Sequence, residues 1–245
     1  MLFRSPHDSS IVSLQVGLPK EIWQAESGDS EKAWTTGFHK QRVDGPVWLS
    51  ALNLAGDGQA DLVHHGGANK AVCAYSADHY PFWHRELGRV EMQHGAFGEN
   101  LTIAGLTEKD VCIGDTWSIG EVLVQVSQPR QPCWKLARRW NIKDLALQVQ
   151  QTGRTGWYFR VLREGYIASG MRITLVERPF SEWTVATANH IMHHDKQNFA
   201  DAMRLASISL LSSNWQESLL RRVHKNNESD ALRLNGPDAS DTNIV

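Results

Sequence analysis

The chain has 245 residues, a formal net charge of −2 and a hydrophobic fraction of 41%, enough to bury the core of one large domain, or of a large and a small one. The near-balanced charge gives no global pull toward nucleic acid or an anionic membrane, no apolar run approaches the roughly 18 residues of a membrane span, and the N-terminus lacks the apolar centre of a signal peptide. Cys73, Cys112 and Cys133 are odd in number and widely spaced, which argues against a disulfide framework or a CxxC knuckle and for a reducing cytoplasm.

Residues 11–16 and the neighbourhood of 47–49 alternate apolar and polar side chains, as half-buried strands do. Residues 57–67 then join a turn to a polar segment that ends His64-His65-Gly66-Gly67. Its two glycines let the backbone approach a ligand, and consecutive amides there can form an anion-binding nest. Adjacent side chains on a strand point to opposite faces, so a hydrogen-bonding role for one histidine is favoured over a joint metal site. Lys40 and Lys70 bracket the segment as candidates to meet a phosphate. Tyr80, Trp83, His84 and Leu87 recur at helical spacing and predict a helix over 78–87. The knot Phe97-Gly98-Glu99-Asn100-Leu101 offers Glu99 as an acid or a ligand-orienting group, and Asn100 as donor and acceptor. It reads equally well as a capped turn. Residues 111–121 form a predicted hairpin with Gly120 near its turn.

The most informative stretch follows. Residues 121–126 are apolar and β-branched, as a buried strand should be. Pro129 and Pro132 remove backbone donors and end it. Proline suits a first helical turn, so a short helix over 132–140 is predicted, with Cys133 at its N-terminus. There the helix dipole and Arg130, Lys135 and Arg138 favour a thiolate, which is a nucleophile or a soft metal ligand. The plain alternative is a buried structural cysteine. Residues 155–161 combine aromatics with Arg160, as a core strand or a wall for a planar ligand would. Residues 165–167 and 171–176 supply further strands. Many short strands with frequent turns predict a mainly β fold with some helix, a closed or partly closed barrel.

After Pro179 the pattern becomes helical. A small bundle is expected within 179–226 behind a barrel domain over 1–178, with a loose polar tail at 227–245. His190, His193 and His194 have the i, i+3, i+4 spacing of a helical metal site, but HExxH is absent and no acidic base is placed for zinc hydrolysis. Arg138-Arg139 and Arg221-Arg222 read as solvated helix faces, so stable nucleic-acid binding is not expected.

Taken in order, His39-Lys40-Gln41, residues 56–61 leading into His64-His65-Gly66-Gly67, Phe97-Gly98-Glu99-Asn100-Leu101, residues 111–115, Gln128-Pro129-Arg130 with Pro132-Cys133, and Gly156-Trp157-Tyr158 resemble the MOSC domain. That domain is named for the C-terminal part of molybdenum-cofactor sulfurases. Within the group the chain is similar to the bacterial YiiM branch, whose three-helix extension the segment 181–226 resembles. The resemblance implies a β-rich MOSC barrel holding molybdenum cofactor, a pterin dithiolene with a phosphate, and it makes Cys133 the protein's sulfur ligand to the metal. A soft thiolate suits a metal already held by dithiolene sulfurs. Lys40, Arg130 and Lys135 are then candidates to balance the cofactor's charge, with His64, His65, Gly66, Gly67 and Asn100 near its phosphate or pterin. The implied reaction is reduction of N-hydroxylated compounds, among them purine bases such as hydroxylaminopurine, to the amine. Glu99 or a pocket histidine would deliver a proton. No ferredoxin-type cysteine set and no GxGxxG after a strand is present, so a separate reductase is expected to donate electrons. A persulfide carrier using Cys133, and a module that binds or delivers the cofactor without turnover, are the competing readings.

Overall fold

The β-branched runs become strands, and their punctuation by glycine and proline sets where the sheet turns. The structure is a computed structural model that describes residues 9–25, 31–62, 66–224 and 230–236. Its strands are β1 (Ser10–Val16), β2 (Lys20–Ala25), β3 (Glu31–Thr36), β4 (Gln41–Arg42), β5 (Val47–Leu49), β6 (Val72–Ser76), β7 (Leu101–Ala104), β8 (Thr116–Ile119), β9 (Val122–Pro129), β10 (Trp157–Arg163), β11 (Gly165–Ile167) and β12 (Thr174–Glu177). Eight of them form one curled sheet in the order β12-β8-β9-β10-β6-β7-β1-β4. The β6–β7 pair is parallel, and its crossover carries helix α1 (Tyr80–Leu87). Backbone bonds from Ile11 N to Met171 O (3.0 Å) and from Ile173 N to Ser9 O (3.0 Å) bring the start of β1 against the segment before β12. The sheet is thereby partly closed into the expected half-barrel. The hairpin β2–β3 and the pair β5–β11 stand apart from it.

Five further helices complete the barrel and the helical region: α2 (Trp134–Trp140), α3 (Leu145–Thr152), α4 (Val185–His193), α5 (Phe199–Ala206) and α6 (Ser213–Val223). Helix α3 has no counterpart in the sequence reading. Its buried Leu145, Ala146, Val149 and Gln150 repeat at i, i+1, i+4 and i+5, the stripe of a helix packed on one face. Thr184 caps α4 by accepting from the Thr187 amide at 3.0 Å. Asn198 does the same for α5 through the Asp201 amide at 3.1 Å.

Two apolar cores organise the molecule. The larger runs from Val124, Trp117, Trp157 and Phe159 of the sheet through Trp183, just ahead of α4, into Ala188, Leu205 and Trp215 of the helices, so the C-terminal helices share the barrel's core. A backbone bond from Ser212 N to Ser127 O (2.9 Å) reinforces that junction. The smaller core packs Tyr75, Tyr80, Trp83, Phe97, Leu136 and Leu145, and it fixes α1, α2 and α3 beside one end of the sheet. The expected tail is not wholly loose: Ala231–Asn235 form a last helix, α7. Among the described residues no helix is long and apolar enough to cross a membrane.

Candidate functional site

Strands β6, β9 and β10 end side by side, and a cleft opens there. It measures about 630 Å3, counting space open to solvent, and Cys73, Arg130, Cys133 and Tyr158 line it together with Lys40, Lys70, Asn100 and Lys135. The local chain explains the convergence. Pro129 still pairs with Trp157, and the next amide, Arg130 N, bonds to Gly156 O at 3.1 Å. Gly156 has φ +75, and a Cβ there would lie 2.3 Å from the Ala74 carbonyl oxygen, so only glycine lets β10 close on β6. Pro132 then delivers Cys133 to the N-cap of α2, in extended conformation (φ −126, ψ 165), with its side chain making no capping bond.

Cys133 is buried, at 7% exposed, and so is Arg130, at 4%. The Nη1 of Arg130 has no hydrogen-bond partner. A buried, unsatisfied guanidinium nitrogen is costly unless a ligand completes it, and here it borders a cleft that also holds a thiol and the amines of Lys70 and Lys135. The donor set suits an anionic group carrying a soft metal. At Cys73, burial outweighs the nearby Arg130 charge and pushes the thiol up to about 11. Burial raises the Tyr158 hydroxyl too, with Cys73 adding to the effect. Both keep their protons at neutral pH. Burial lowers the Lys70 amine, with Asp61 opposing the shift.

Lys40 lines the cleft but pairs with the Asp57 carboxylate. Asp57 also accepts from Gly17 N (2.8 Å) and from Asn100 Nδ2 (2.9 Å). Asn100 closes the network by accepting from Cys73 N at 3.1 Å through its side-chain oxygen. Lys40 and Asn100 therefore brace the wall of the cleft, and the charge of Lys40 is already balanced.

Glu99, expected as the proton donor with a pocket histidine as the alternative, lies outside the cleft lining and is fully buried. Its carboxylate accepts from the Tyr80 hydroxyl, Gly95 N (2.7 Å), Phe97 N (3.1 Å) and Thr102 Oγ1 (2.9 Å). It organises the 95–102 loop, which is the capped-turn alternative. Gly66 and Gly67 do not line the cleft either; Gly67, at φ +91, starts the 3-10 turn that brings up Lys70, whose amide bonds to Gly67 O at 2.8 Å. His64 and His65 lie outside the described residues. The histidine trio, weighed and disfavoured as a metal site, is split: His193 packs buried against Trp215, while His190 and His194 stack on each other. Sequence reading missed Cys73, Phe38 and Asp57 as parts of the site. Cys73 sits in a uniformly buried strand and carries no local signal, whereas Asp57 stood in a quoted motif without a role.

Residues 61–174 match the MOSC domain family, and residues 183–226 match the family described as YiiM-like, 3-alpha helix domain. The chain is 47% identical over 213 residues to the protein YflK of Bacillus subtilis, covering 87% of this chain and 94% of that one. It is similar to the crystal structure of YiiM from Geobacillus stearothermophilus at 40% identity and a TM-score of 0.73, covering 88% of this chain and 99% of the other. A protein of Gibberella moniliformis named as a reductase is 40% identical over 161 residues, which span 64% of this chain and 28% of that longer one. With both of its parts matched in order and full-length relatives at this identity, the chain belongs to the MOSC family, in its YiiM-like branch.

Proposed function

We propose that this protein is a molybdenum-cofactor-dependent reductase that converts N-hydroxylated compounds, including N-hydroxylated purine bases such as hydroxylaminopurine, to the corresponding amines. The observation that carries the reading is the pairing of Cys133 with the unpartnered Arg130 nitrogen in one cleft. Cys133 Sγ would be the protein's ligand to the metal, and Arg130 and Lys135 would meet the anionic parts of the cofactor. When bound, the group supplies the two-electron redox chemistry that removing oxygen from an N–OH compound requires.

The chain's own residues do the rest. Asp57 and Asn100 hold the wall of the cleft and with it Lys40. Phe38, whose carbonyl accepts from Arg139 Nη1 at 3.0 Å, provides an aromatic surface in the lining for a planar substrate. The reductase name of the fungal relative agrees with this class of reaction, although it belongs to a longer protein. Electrons would come from a separate reductase.

The test is the molybdenum and pterin content of protein made in a cofactor-competent host, beside Cys133→Ser. Near-stoichiometric metal in the wild type, largely lost in the variant, is the expected result. Absence of both metal and pterin from the wild type, with cofactor supply confirmed, would overturn the reading and favour a persulfide on Cys133.

A further inference from the structure

The segment expected to be a loose tail reaches back to the cysteine. In α7, Arg233 Nη1 donates to the carbonyl oxygen of Pro132, and Nη2 donates to Gln150 Oε1 at 2.6 Å and to Asp230 Oδ1 at 3.0 Å. Asp230 is itself within 3.4 Å of Lys196 Nζ, which ties the segment to the helical region. Gly236, at φ +85, packs so closely on Trp134 that a Cβ there would stand 3.3 Å from the indole. Pro132 and Trp134 are the two neighbours of Cys133, so one short segment, beyond the residues matched to the three-helix family, touches the chain on both sides of the thiol.

We propose that Arg233 is a positioning residue for Cys133, and that residues 230–236 form a strap setting the direction of its side chain. The reason is geometric. A peptide unit is planar, so anchoring the Pro132 carbonyl fixes the plane of the amide that leads into Cys133. Proline's ring fixes the preceding φ, and the packed Trp134 fixes the following residue. The swing of the Cα–Cβ bond of Cys133 is then left to its own backbone torsions, which the N-cap position already restricts. A guanidinium held in a fork by Gln150 and Asp230 is better suited to this than a flexible amine. The catalytic consequence rests on Cys133 being the sulfur ligand; the positioning itself does not.

The test reads the thiol directly, in full-length protein from a host that makes no cofactor, by mapping iodoacetamide labelling of each cysteine by mass spectrometry. All three cysteines are buried, so labelling reports local opening. Arg233→Met is expected to raise the labelling rate of Cys133 on the order of tenfold, the factor a charge-assisted hydrogen bond typically controls, while Cys73 and Cys112 stay at wild-type rates. Arg178→Met serves as the comparison. It loosens Asp115, which accepts from the Cys112 amide at 2.8 Å, and it is expected to expose Cys112 but not Cys133. An unchanged Cys133 rate in Arg233→Met, an increase shared by all three cysteines, or the same Cys133 response in Arg178→Met would overturn the proposal. None of these outcomes depends on molybdenum, so the proposal can fail while the reductase reading stands, and the reverse.

Discussion

Asp57→Asn isolates the network that holds one wall of the cleft. The side chains of Asp57 and Lys40 are 0% and 6% exposed, so the ion pair is screened little by water and its loss is not softened by solvation. Asparagine keeps the shape but removes the charge, which leaves the Lys40 ammonium buried without a counterion. Its amide nitrogen would also face that of Asn100, where the Asp57 carboxylate now accepts at 2.9 Å. Breaking one side of a buried pair costs about 3–5 kcal/mol, and in a chain of 245 residues that lowers Tm by roughly 10 °C. Urea unfolding followed by tryptophan fluorescence measures it directly. Adding Lys40→Met to Asp57→Asn removes the stranded cation and should recover at least about 1 kcal/mol of the loss, because the double change deletes the unpaired charge rather than creating it. A single variant losing less than about 1 kcal/mol, or a double variant no more stable than the single, would refute a buried and mutually dependent pair.

Other expectations follow from the same contacts. Glu99→Gln should cost about 2–4 kcal/mol, since one of four donors would face an amide nitrogen, while molybdenum content per folded molecule stays at the wild-type level; a selective loss of turnover at normal stability would restore Glu99 to the chemistry. Gly156→Ala should cost at least about 3 kcal/mol, combining a left-handed backbone with a Cβ driven into the Ala74 carbonyl, and circular dichroism melts would show it. Burial, helped by the Arg233 charge, holds His193 down to about 3 against an ordinary 6.5. The unfolded chain therefore binds more protons between those values, and stability must fall as pH drops below 6.5. The loss from this one residue is roughly 2 kcal/mol between pH 7 and pH 5, and His193→Gln should flatten the slope of urea stability against pH.

What the sequence made legible was short in range. The strand–proline–helix pattern around Cys133 is decided within about a dozen residues, and the structure reproduces it with the helix starting at Trp134. Strands β1, β5, β9, β10, β11 and β12 were readable for the same reason, whereas β6 and β7, inside the same sheet, were not read as strands. Glu99 was not legible, because a carboxylate inside an apolar run looks alike whether it faces a ligand or a ring of amides. Its fate turns on Tyr80, 19 residues earlier, and Thr102, which only the fold brings together. Lys40 was read as a free cation for a comparable reason: its partner Asp57 is 17 residues away. The C-terminal strap is the extreme case, since α7 has barely a turn of local pattern and is held by a contact spanning 101 residues.

The proposed N–O reduction would need a proton, and Glu99 lies outside the lining of the cleft, so a lining group is the candidate to supply it. Cys73, raised by burial to about 11, and Tyr158, raised by burial as well, hold their protons too tightly to be good acids near neutral pH. Lys70 is shifted in the opposite direction, because burial disfavours its ammonium form. A general acid works best when its pKa approaches the working pH, and the shift of Lys70 runs in that direction. Lys70→Met should then lower turnover of an N-hydroxylated base by about a hundredfold, the lower end of what a positioned acid supplies, with molybdenum content unchanged. In the wild type, activity should fall as pH rises through the lowered pKa of Lys70, because only the protonated amine can donate. A variant that loses molybdenum along with turnover would show that Lys70 holds the cofactor's charge and does not deliver the proton; one that loses neither would remove it from the site altogether.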